Sequence, residues 1–367
     1  WKVNEPRTSW EVLDAFVAAA GASGIPRTDD FNSGNNEGCG YFHVNQLNGR
    51  RWSTARGFLK PILSRPNITL LTETLMDRLV LDGTRVTGIR VVRDGQEHLI
   101  TANRAVILST GAVATPPVME RSGIGDGERL KALGIDPVLD LPGVGENLQD
   151  HLQMRMIFKV SGVKTMNTEY QSIARRIGMG LQYAFFRRGP LTMAPSQLGA
   201  FTRSSSDFET PNIQFHIQPL SLDKFGDPLH TFDAVTVSVC NLRPVSRGSV
   251  HARSTDPADA PVIAPNYLSA TEDKRVAVDA IRISRGIVAQ QSLQRYQPEE
   301  FLPGAHVTSD ADLARAAGDI GTTIFHPVGT AKMGTDGDPM AVTDAQLRVR
   351  GLDGLRIVDA SVMPNIT

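Results

Sequence analysis

The sequence predicts two kinds of fold in one chain: an α/β layer of Rossmann-like type and, inserted into it, an α+β region whose sheet is mostly antiparallel. Two short apolar runs, residues 106–109 and 355–358, have the character of buried parallel strands yet lie far apart in the chain. The strands predicted between them have long, varied connections, which favour an antiparallel or mixed sheet over repeated βαβ units. One layer interrupted by a large insertion accounts for both observations.

The helices follow from apolar periodicity and from residues that start or stop a helix. Residues 9–24 carry one apolar face, with Thr8 and Glu11 at capping-box spacing before it and Gly24 and Pro26 at its end. The other predicted helices cover residues 115–121, 170–186, 271–291 and 310–317.

The strands follow from alternating apolar runs between turn residues. Two Asp-Gly dipeptides, at residues 82–83 and 94–95, separate such runs and predict a meander, since Asp-Gly favours the tight turns of hairpins. A continuous apolar run then ends at Gly111, which predicts a close approach of the backbone to another group. The predicted strands cover residues 68–74, 75–81, 85–92, 98–101, 106–109, 154–160, 197–203, 212–218, 234–241, 249–254 and 355–359.

Composition and charge exclude several classes of protein. The 367 residues include 38 basic and 39 acidic side chains, a net charge of −1, which excludes a strongly basic nucleic-acid binder. No apolar run approaches the roughly 18–20 residues that span a bilayer. Cys39 and Cys240 are too few for a disulfide framework and are predicted to be buried thiols. The eight histidines are scattered, so no metal site is predicted.

Three features of the sequence could take part in the reaction or bind a ligand, or could only stabilise the fold. Residues 143–148 form a broken Gly-x-Gly-x-x-Gly after a proline, which indicates a tight turn rather than a dinucleotide cradle. His326 precedes a proline, and a rigid histidine in apolar surroundings can act as a base; alternatively it is a core histidine with its hydrogen bonds satisfied. Asp359 follows a buried strand and could accept from ribityl or ribose hydroxyls or lie near a cofactor pyrophosphate; alternatively it caps the next helix.

Five longer phrases stand in a recognisable order along nearly the whole chain. Residues 111–125 read GAVATPPVMERSGIG. The other four are GRRWSTAR at 49–56, LPGVGENLQDH at 141–151, FHPVGTAKMG at 325–334 and VDASVMP at 358–364. Together they resemble the glucose–methanol–choline (GMC) oxidoreductases, whose second signature the first phrase matches without a mismatch. The whole is most similar to the bacterial choline-dehydrogenase-like alcohol dehydrogenases of that family.

The resemblance implies a flavoenzyme in which FAD lies in the Rossmann-like domain and the sheet domain covers the flavin. The implied reaction oxidises a primary or secondary alcohol to a carbonyl compound. By the match to the family's His-Pro motif, His326 would accept the hydroxyl proton while hydride leaves the carbon for flavin N5. The cofactor-binding residues implied by the same resemblance are Met76, Thr110, Gly111, Ala112, Asp359 and Ala360.

The substrate is less well specified. Phe325, Gln197 and His216 are candidate substrate-contacting residues, although Gln197 and His216 could equally be outward-facing strand residues. The choline-oxidising branch tends to carry a carboxylate at the position aligned with Gln197, whose neutral amide offers a quaternary ammonium no charge partner. We therefore expect a small neutral alcohol rather than choline, and an electron acceptor that the sequence does not identify.

The resemblance also implies the boundaries of the domains. Residues 1–150 would form a partial FAD-binding domain, with 1–60 on the substrate side; residues 151–325 would form the substrate-binding domain, and 326–367 would return to the FAD-binding domain. The chain begins at Trp1 without methionine and stops at Thr367. We therefore expect a fragment without the family's first Gly-rich loop and its second catalytic Asn or His, weak or inactive by itself.

Two alternatives remain open. One is an NAD(P)H-dependent flavoprotein with two dinucleotide sites, which would require a second Gly-rich phosphate loop, and none is visible. The other is a non-catalytic remnant that retains the GMC fold. No targeting signal is visible, so the compartment stays open, with the cytoplasm as the favoured expectation.

Overall fold

The computed structural model describes all residues, Trp1–Thr367, and they cluster into two compact units, each built from three separate stretches of chain. The first unit consists of residues 1–69, 152–242 and 274–322, and the second of residues 70–151, 243–273 and 323–367. Both predicted kinds of fold are present, one as a large antiparallel sheet and the other as a parallel strand pair followed by a helix. The assignment of residues 1–150, 151–325 and 326–367 to FAD and substrate remains a prediction.

The helices lie close to the predicted ranges, apart from two short helices over residues 127–132 and 291–294 that the sequence does not predict. They are α1 (Glu11–Ala22), α2 (Gly111–Arg121), α3 (Gly127–Ala132), α4 (Met166–Gln171), α5 (Ile173–Phe186), α6 (Thr271–Val288), α7 (Gln291–Gln294) and α8 (Asp310–Asp319). The predicted capping box before α1 is wrong, because Trp10 occupies the N-cap and no side chain caps the helix. The predicted helix over 170–186 is broken at Ser172, whose extended backbone ends α4 and whose hydroxyl caps α5.

The strands include several short ones that the sequence does not predict. They are β1 (Gly38–Tyr41), β2 (Gln46–Leu47), β3 (Arg50–Arg51), β4 (Thr74–Asp82), β5 (Arg85–Arg93), β6 (Gln96–Thr101), β7 (Val106–Leu108), β8 (Ile124–Gly125), β9 (Leu139–Asp140), β10 (Leu152–Lys159), β11 (Leu198–Thr202), β12 (Ile213–Gln218), β13 (Ala234–Asn241), β14 (Ser249–His251), β15 (Val262–Ala264), β16 (Glu299–Leu302), β17 (Gly321–Thr323) and β18 (Leu355–Ile357). The strand predicted over residues 68–74 is wrong, because pairing with β5 begins only at Thr74.

The first unit is organised by one sheet in the order β1-β11-β12-β13-β10-β16, with β17 also paired to β10. Its neighbouring strands β11, β12, β13 and β10 run antiparallel, as the sequence predicts. Cys39 on β1 and Cys240 on β13 are both buried and form no disulfide, so the prediction of buried thiols is confirmed. Burial raises the pKa of the Cys39 thiol to about 12.

The second unit contains the predicted meander and the parallel pair. Strands β4, β5 and β6 form a three-stranded antiparallel sheet, and its second turn has positive φ at both Asp94 and Gly95, as a tight hairpin requires. Strand β18 pairs in parallel with β7, with Leu355 opposite Val106. Helix α2 begins at Gly111, directly after β7 and four residues earlier than predicted.

A buried cluster of charge joins α2 to β14 inside the second unit. The Glu120 carboxylate is fully buried and lies 2.7 Å from Nδ1 of His251, and its other oxygen accepts the Ala252 amide at 2.6 Å. The His251 Nε2 lies 3.1 Å from the Glu146 carboxylate. A buried carboxylate is tolerated only with such partners, so the histidine is required where α2 meets β14.

No helix in the structure is both long and apolar enough to cross a membrane.

The variant His251→Ala should strongly destabilise the protein, because it leaves the buried Glu120 carboxylate without its side-chain partner. The expected loss is about 3 kcal/mol in the free energy of unfolding, measured by urea titration at neutral pH. Lys131→Ala, which removes an exposed ion pair with Glu128 in the same unit, is the control and should leave the midpoint unchanged. Equal effects of the two substitutions would contradict the role of the buried cluster.

Candidate active site

The loop that carries His326 is anchored to the segment Gln149–Asp150–His151 of the second unit. The amide of Gln149 donates to the Val328 carbonyl at 3.0 Å, and the Val328 amide returns a bond of 2.9 Å. The Ile324 amide donates to the His151 carbonyl at 3.3 Å. These bonds hold the chain on both sides of His326 against three consecutive residues.

The buried carboxylate of Asp150 fixes the loop from within. One oxygen accepts the His326 amide at 3.0 Å. The other accepts the Thr323 hydroxyl at 2.5 Å and the hydroxyl of Tyr267. Burial is the main cause that raises the pKa of the Tyr267 phenol above its usual value, and the hydrogen bond to Asp150 is the second. The hydroxyl therefore keeps its proton and remains a donor.

Phe325 adopts a left-handed backbone immediately before His326. Its φ is +64°, which is uncommon for a residue other than glycine. The Phe325 amide donates to the Thr323 hydroxyl at 2.8 Å, and Thr323 in turn donates to Asp150, so side-chain hydrogen bonds stabilise this conformation. Phe325 and His326 are both exposed, so the apolar surroundings expected for His326 are not observed.

His326 is paired with a second histidine. Its Nδ1 lies 3.2 Å from Nδ1 of His151, which is 2% exposed. In a neutral pair one Nδ1 must carry hydrogen and the other must accept it. If His326 donates, its Nε2 is left without hydrogen and is able to accept a proton. The pair can therefore act as a base. The alternative, a buried core histidine, does not match the exposed ring of His326.

Gln149 connects this loop to the last residues of the chain. Its side-chain amide is 2% exposed and donates to the Pro364 carbonyl at 3.1 Å. The Gln149 Oε1 accepts the Ile366 amide at 3.2 Å. Three adjacent residues thus hold the His326 loop, the His326 ring and the segment 364–366 together.

Five of the six predicted cofactor residues come together where β7 and β18 end. Asp359 accepts the Gly111 amide at 2.9 Å and the Thr115 hydroxyl at 3.0 Å, and Thr115 contacts the Thr110 hydroxyl at 2.7 Å. The Ala112 carbonyl accepts from Thr330, and the Ala360 carbonyl accepts from Gly329. Asp359 also accepts the Ser361 amide and so caps the turn Ala360–Val362. This is the capping role that the sequence analysis gave as the alternative to cofactor binding.

Met76, the sixth predicted cofactor residue, is not part of this group. It lies on β4 opposite Val91 and packs against the core of the second unit. None of the hydrogen bonds that join the other five residues reaches it.

The edge formed by β7 and β18 fits a nucleotide cofactor. Gly111 has a φ of +81°, and a Cβ built there would meet nothing within 4 Å, so the turn is open on that side. Ser109 and Thr110 are exposed at the end of β7. Ligands of α/β folds bind at the carboxyl ends of parallel strands, which is where these residues lie.

The remaining candidates belong to the first unit. Gln197 precedes β11, is 2% exposed, and has no hydrogen-bond partner at either amide atom. His216 lies on β12 with its ring 5.7 Å from that of Phe42. Nothing in the structure tests their role toward a substrate. No group of three or more His, Cys, Asp or Glu side chains is arranged to hold a metal ion.

Sequence reasoning assigned no role to Gln149, Asp150, His151 or Tyr267. The first three stand inside the phrase LPGVGENLQDH, which indicates the family resemblance but no role for these residues. Their consecutive polar character was a signal, since three adjacent polar residues next to apolar strand β10 must find partners if buried. Tyr267 carried no comparable signal, because its partner is distant in sequence.

Comparison with family models shows which class of protein this fold and site define. Two models, both described as GMC oxidoreductase, match residues 2–153 and 244–367. The chain therefore belongs to the GMC oxidoreductase family, and the resemblance seen in the sequence is confirmed.

Curated relatives agree with this assignment. Mitochondrial choline dehydrogenase from Mus musculus is 38% identical over 99% of this chain and 61% of its own length. Alcohol dehydrogenase (acceptor) from Pseudomonas putida is 37% identical over 96% of this chain and 64% of its own length. The chain thus spans about three fifths of these relatives.

Solved structures share the fold. Pyridoxine 4-oxidase from Mesorbium loti has a TM-score of 0.86 and 30% identity, over 100% of this chain and 67% of that one. Formate oxidase from Aspergillus oryzae RIB40, studied for the modification of its FAD, has a TM-score of 0.88 and 27% identity, over 97% of this chain and 66% of that one.

Removal of the Asp150 carboxylate should release the His326 loop. In Asp150→Ala, the amides of Phe325 and His326 should exchange with solvent at least tenfold faster, because their network of acceptors is lost. Hydrogen–deuterium exchange with peptide or residue resolution measures this rate. Asp344→Ala removes a carboxylate that also accepts loop amides and should leave the His326 loop unchanged. Unchanged protection in Asp150→Ala would refute the anchoring role.

The raised pKa of Tyr267 should make stability fall at alkaline pH. The protonated Tyr267 phenol stabilises the folded protein. This contribution is fully present below the pKa of the phenol in the unfolded chain, about 10, and is lost as pH rises toward its higher pKa in the folded protein. Between pH 10 and 11, the wild-type protein should therefore lose up to about 1.4 kcal/mol more than Tyr267→Phe. Urea unfolding at pH 8 to 11 measures the difference, and parallel pH profiles would show the prediction to be wrong.

Proposed function

We propose that this chain forms part of an FAD-dependent enzyme that oxidises a primary or secondary alcohol to a carbonyl compound, with His326 as the base. Family membership supports oxidation, and the relatives named choline dehydrogenase and alcohol dehydrogenase support an alcohol as substrate. The observation that carries the role of His326 is the 3.2 Å contact of its Nδ1 with Nδ1 of His151, because Nε2 can receive a proton when His326 donates in this contact.

FAD would be held by the residues at the ends of β7 and β18. Thr110, Gly111 and Ala112 offer an open glycine turn and a helix N-terminus, and Asp359 holds Gly111 in place while Ala360 follows it. Met76 would contact FAD separately through its backbone. When bound, FAD accepts the hydride that the alcohol carbon releases.

The chain's own contribution is to bind the alcohol and to move its proton. Removing the hydroxyl proton makes the oxygen a stronger electron donor, so the carbon releases hydride more readily. His326 takes that proton at Nε2 and keeps its Nδ1 hydrogen directed at His151, which can accept it without moving. Asp150 holds the backbone of His326 during the transfer, because its carboxylate accepts the His326 amide. It makes no bond to the imidazole ring.

The substrate proposed from the sequence is a small alcohol contacted by Phe325, Gln197 and His216. Gln197 supports this role because a buried amide without hydrogen-bond partners costs free energy unless a ligand satisfies it. The same neutral amide argues against choline itself as the preferred substrate, since a quaternary ammonium gains little from it.

In the enzyme of which this chain is proposed to form part, His326→Gln should lower kcat for alcohol oxidation by about 10²–10⁴-fold, because a general base is lost, while FAD binding is retained. The measurement is reduction of an artificial electron acceptor, with oxygen as a second acceptor and the flavin absorbance as the test of loading. His98→Gln, on exposed β6 of the same unit, is the control and should retain full activity.

Two results would reject parts of this proposal. A loaded wild-type enzyme that oxidises no alcohol would favour the non-catalytic remnant. A loaded His326→Gln variant with full activity would remove the histidine from the mechanism. The expectation that the 367 residues alone bind FAD weakly is checked by the same absorbance, and a stoichiometric flavin spectrum would contradict it.

A further inference from the structure

Helix α5 of the first unit exposes its apolar side chains. A surface helix ordinarily turns its apolar face toward the core of its own domain. In α5 only Met179 is buried. Four large apolar side chains, each 53% to 75% exposed, follow one another at every fourth position: Ile173, Ile177, Leu181 and Phe185. Residues four apart share one face of a helix, and these four, the α5 stripe, lie roughly opposite Met179 and point away from the first unit.

Both ends of α5 are cationic. Arg175 and Arg176 lie in its first turn, and Arg187 and Arg188 directly follow its last residue. The helix contains no Asp or Glu, although the net charge of the whole chain is −1. Of the four arginines only Arg175 forms an ion pair, with Glu169 at 2.9 Å. Cations are unfavourable at a helix N-terminus, so the arginines of the first turn do not serve the stability of the helix.

Hydrogen bonds within the first unit fix α5 at both ends. The Ser172 hydroxyl caps its N-terminus by accepting the Arg175 amide at 3.3 Å. Arg187 ends the helix in the left-handed region, with a φ of +53°, and its carbonyl accepts the Arg7 Nε at 2.8 Å. The stripe is therefore a fixed surface of the first unit and not a loose segment.

The charges around the stripe indicate what covers it. Large exposed apolar patches mark contact sites with other proteins or with membranes. In a symmetric pair of two copies, the arginine ends of one α5 would face arginine ends of the other, whichever way the helices run, and like charges repel. A bilayer surface with anionic headgroups offers hydrocarbon to the stripe and phosphates to the guanidinium groups at the same time.

We propose that α5 docks this protein on an anionic lipid surface, lying in the plane of the bilayer interface. The stripe enters the boundary between headgroups and acyl chains, and the arginines at both ends contact the phosphates. With 14 residues α5 is shorter than the roughly 20 residues of a spanning helix, so it lies on the membrane. This inference goes beyond the proposed function and does not depend on alcohol oxidation.

The test is flotation with lipid vesicles, performed on the enzyme of which this chain is proposed to form part. One set of vesicles consists of equal parts phosphatidylcholine and phosphatidylglycerol, and the other of phosphatidylcholine alone. The protein should bind the anionic vesicles at least tenfold more tightly than the neutral ones. Added salt should weaken this binding, because it screens the charges.

Apolar variants test the stripe. Leu181→Ser and Phe185→Ser should each weaken binding to the anionic vesicles at least tenfold, since each removes apolar area from the contact. Leu99→Ser on β6, where the side chain is 61% exposed, is the matched control and should bind as the wild type does. All three should melt with the wild type, because the side chains are exposed.

Charge variants test the arginines separately. Arg176→Gln and Arg188→Gln should each weaken binding to the anionic vesicles about fivefold, which is the effect of one cation near an anionic surface. They should leave binding to the neutral vesicles unchanged. Arg104→Gln removes an exposed arginine of the second unit and is the control.

Four results would overturn the inference: no flotation with the anionic vesicles, full binding by Phe185→Ser, a wild-type dimer that Leu181→Ser dissociates, or strong hydrogen-exchange protection of exposed α5 side-chain variants' helix amides that vesicles do not increase. The third would assign the stripe to a second copy, and the fourth to another part of the enzyme. Absent alcohol oxidation with intact vesicle binding would instead reject only the proposed function.

Discussion

The Asp150 carboxylate accepts hydrogen bonds from the His326 amide, the Thr323 hydroxyl and the Tyr267 hydroxyl, and the geometry around His326 depends on these bonds. A buried carboxylate must be satisfied, so the three donors cannot leave it without a large cost in free energy. The same bonds allow Phe325 to keep a left-handed backbone. An exposed histidine ring is thus attached to a rigid backbone, with its Nδ1 against His151, so that Nε2 is the ring nitrogen outside this contact.

Both units contain buried polar groups with and without partners. In the second unit Glu120 meets His251 and Asp77 meets Arg78 and Arg121, yet the hydroxyls of Thr343 and Ser361 have no hydrogen-bond partner. In the first unit Arg155, Ser238 and Gln197 have donors or acceptors unused. Buried groups of this kind are the exceptions in a folded protein, and a bound water molecule or ligand can satisfy them.

Local signals in the sequence predicted local structure well. Asp-Gly dipeptides placed the turns of the β4–β6 meander, and the apolar runs placed β7 and β18, because both depend on neighbours in the chain. The grouping of Thr110, Gly111 and Asp359 was expected from family motifs. The Asp150–Tyr267 bond and the unpaired Arg155 were not predictable, since they depend on which distant segments the fold brings together and on which partners it omits. The capping box predicted at Thr8 and Glu11 failed because the helix begins only at Glu11, which places Trp10 and not Thr8 at the N-cap.

The interleaving of the two units also constrains how the chain is made. Strand β7 is synthesised long before its parallel partner β18, whose Leu355 lies opposite Val106. Contacts of such long separation form slowly, because a large loop must close before they contribute. The second unit therefore cannot complete its core until β18 has been synthesised. Until then β7, which pairs with β18 alone, presents an unpaired edge to other chains, so aggregation and the demand for chaperones during expression should be greatest before this late step.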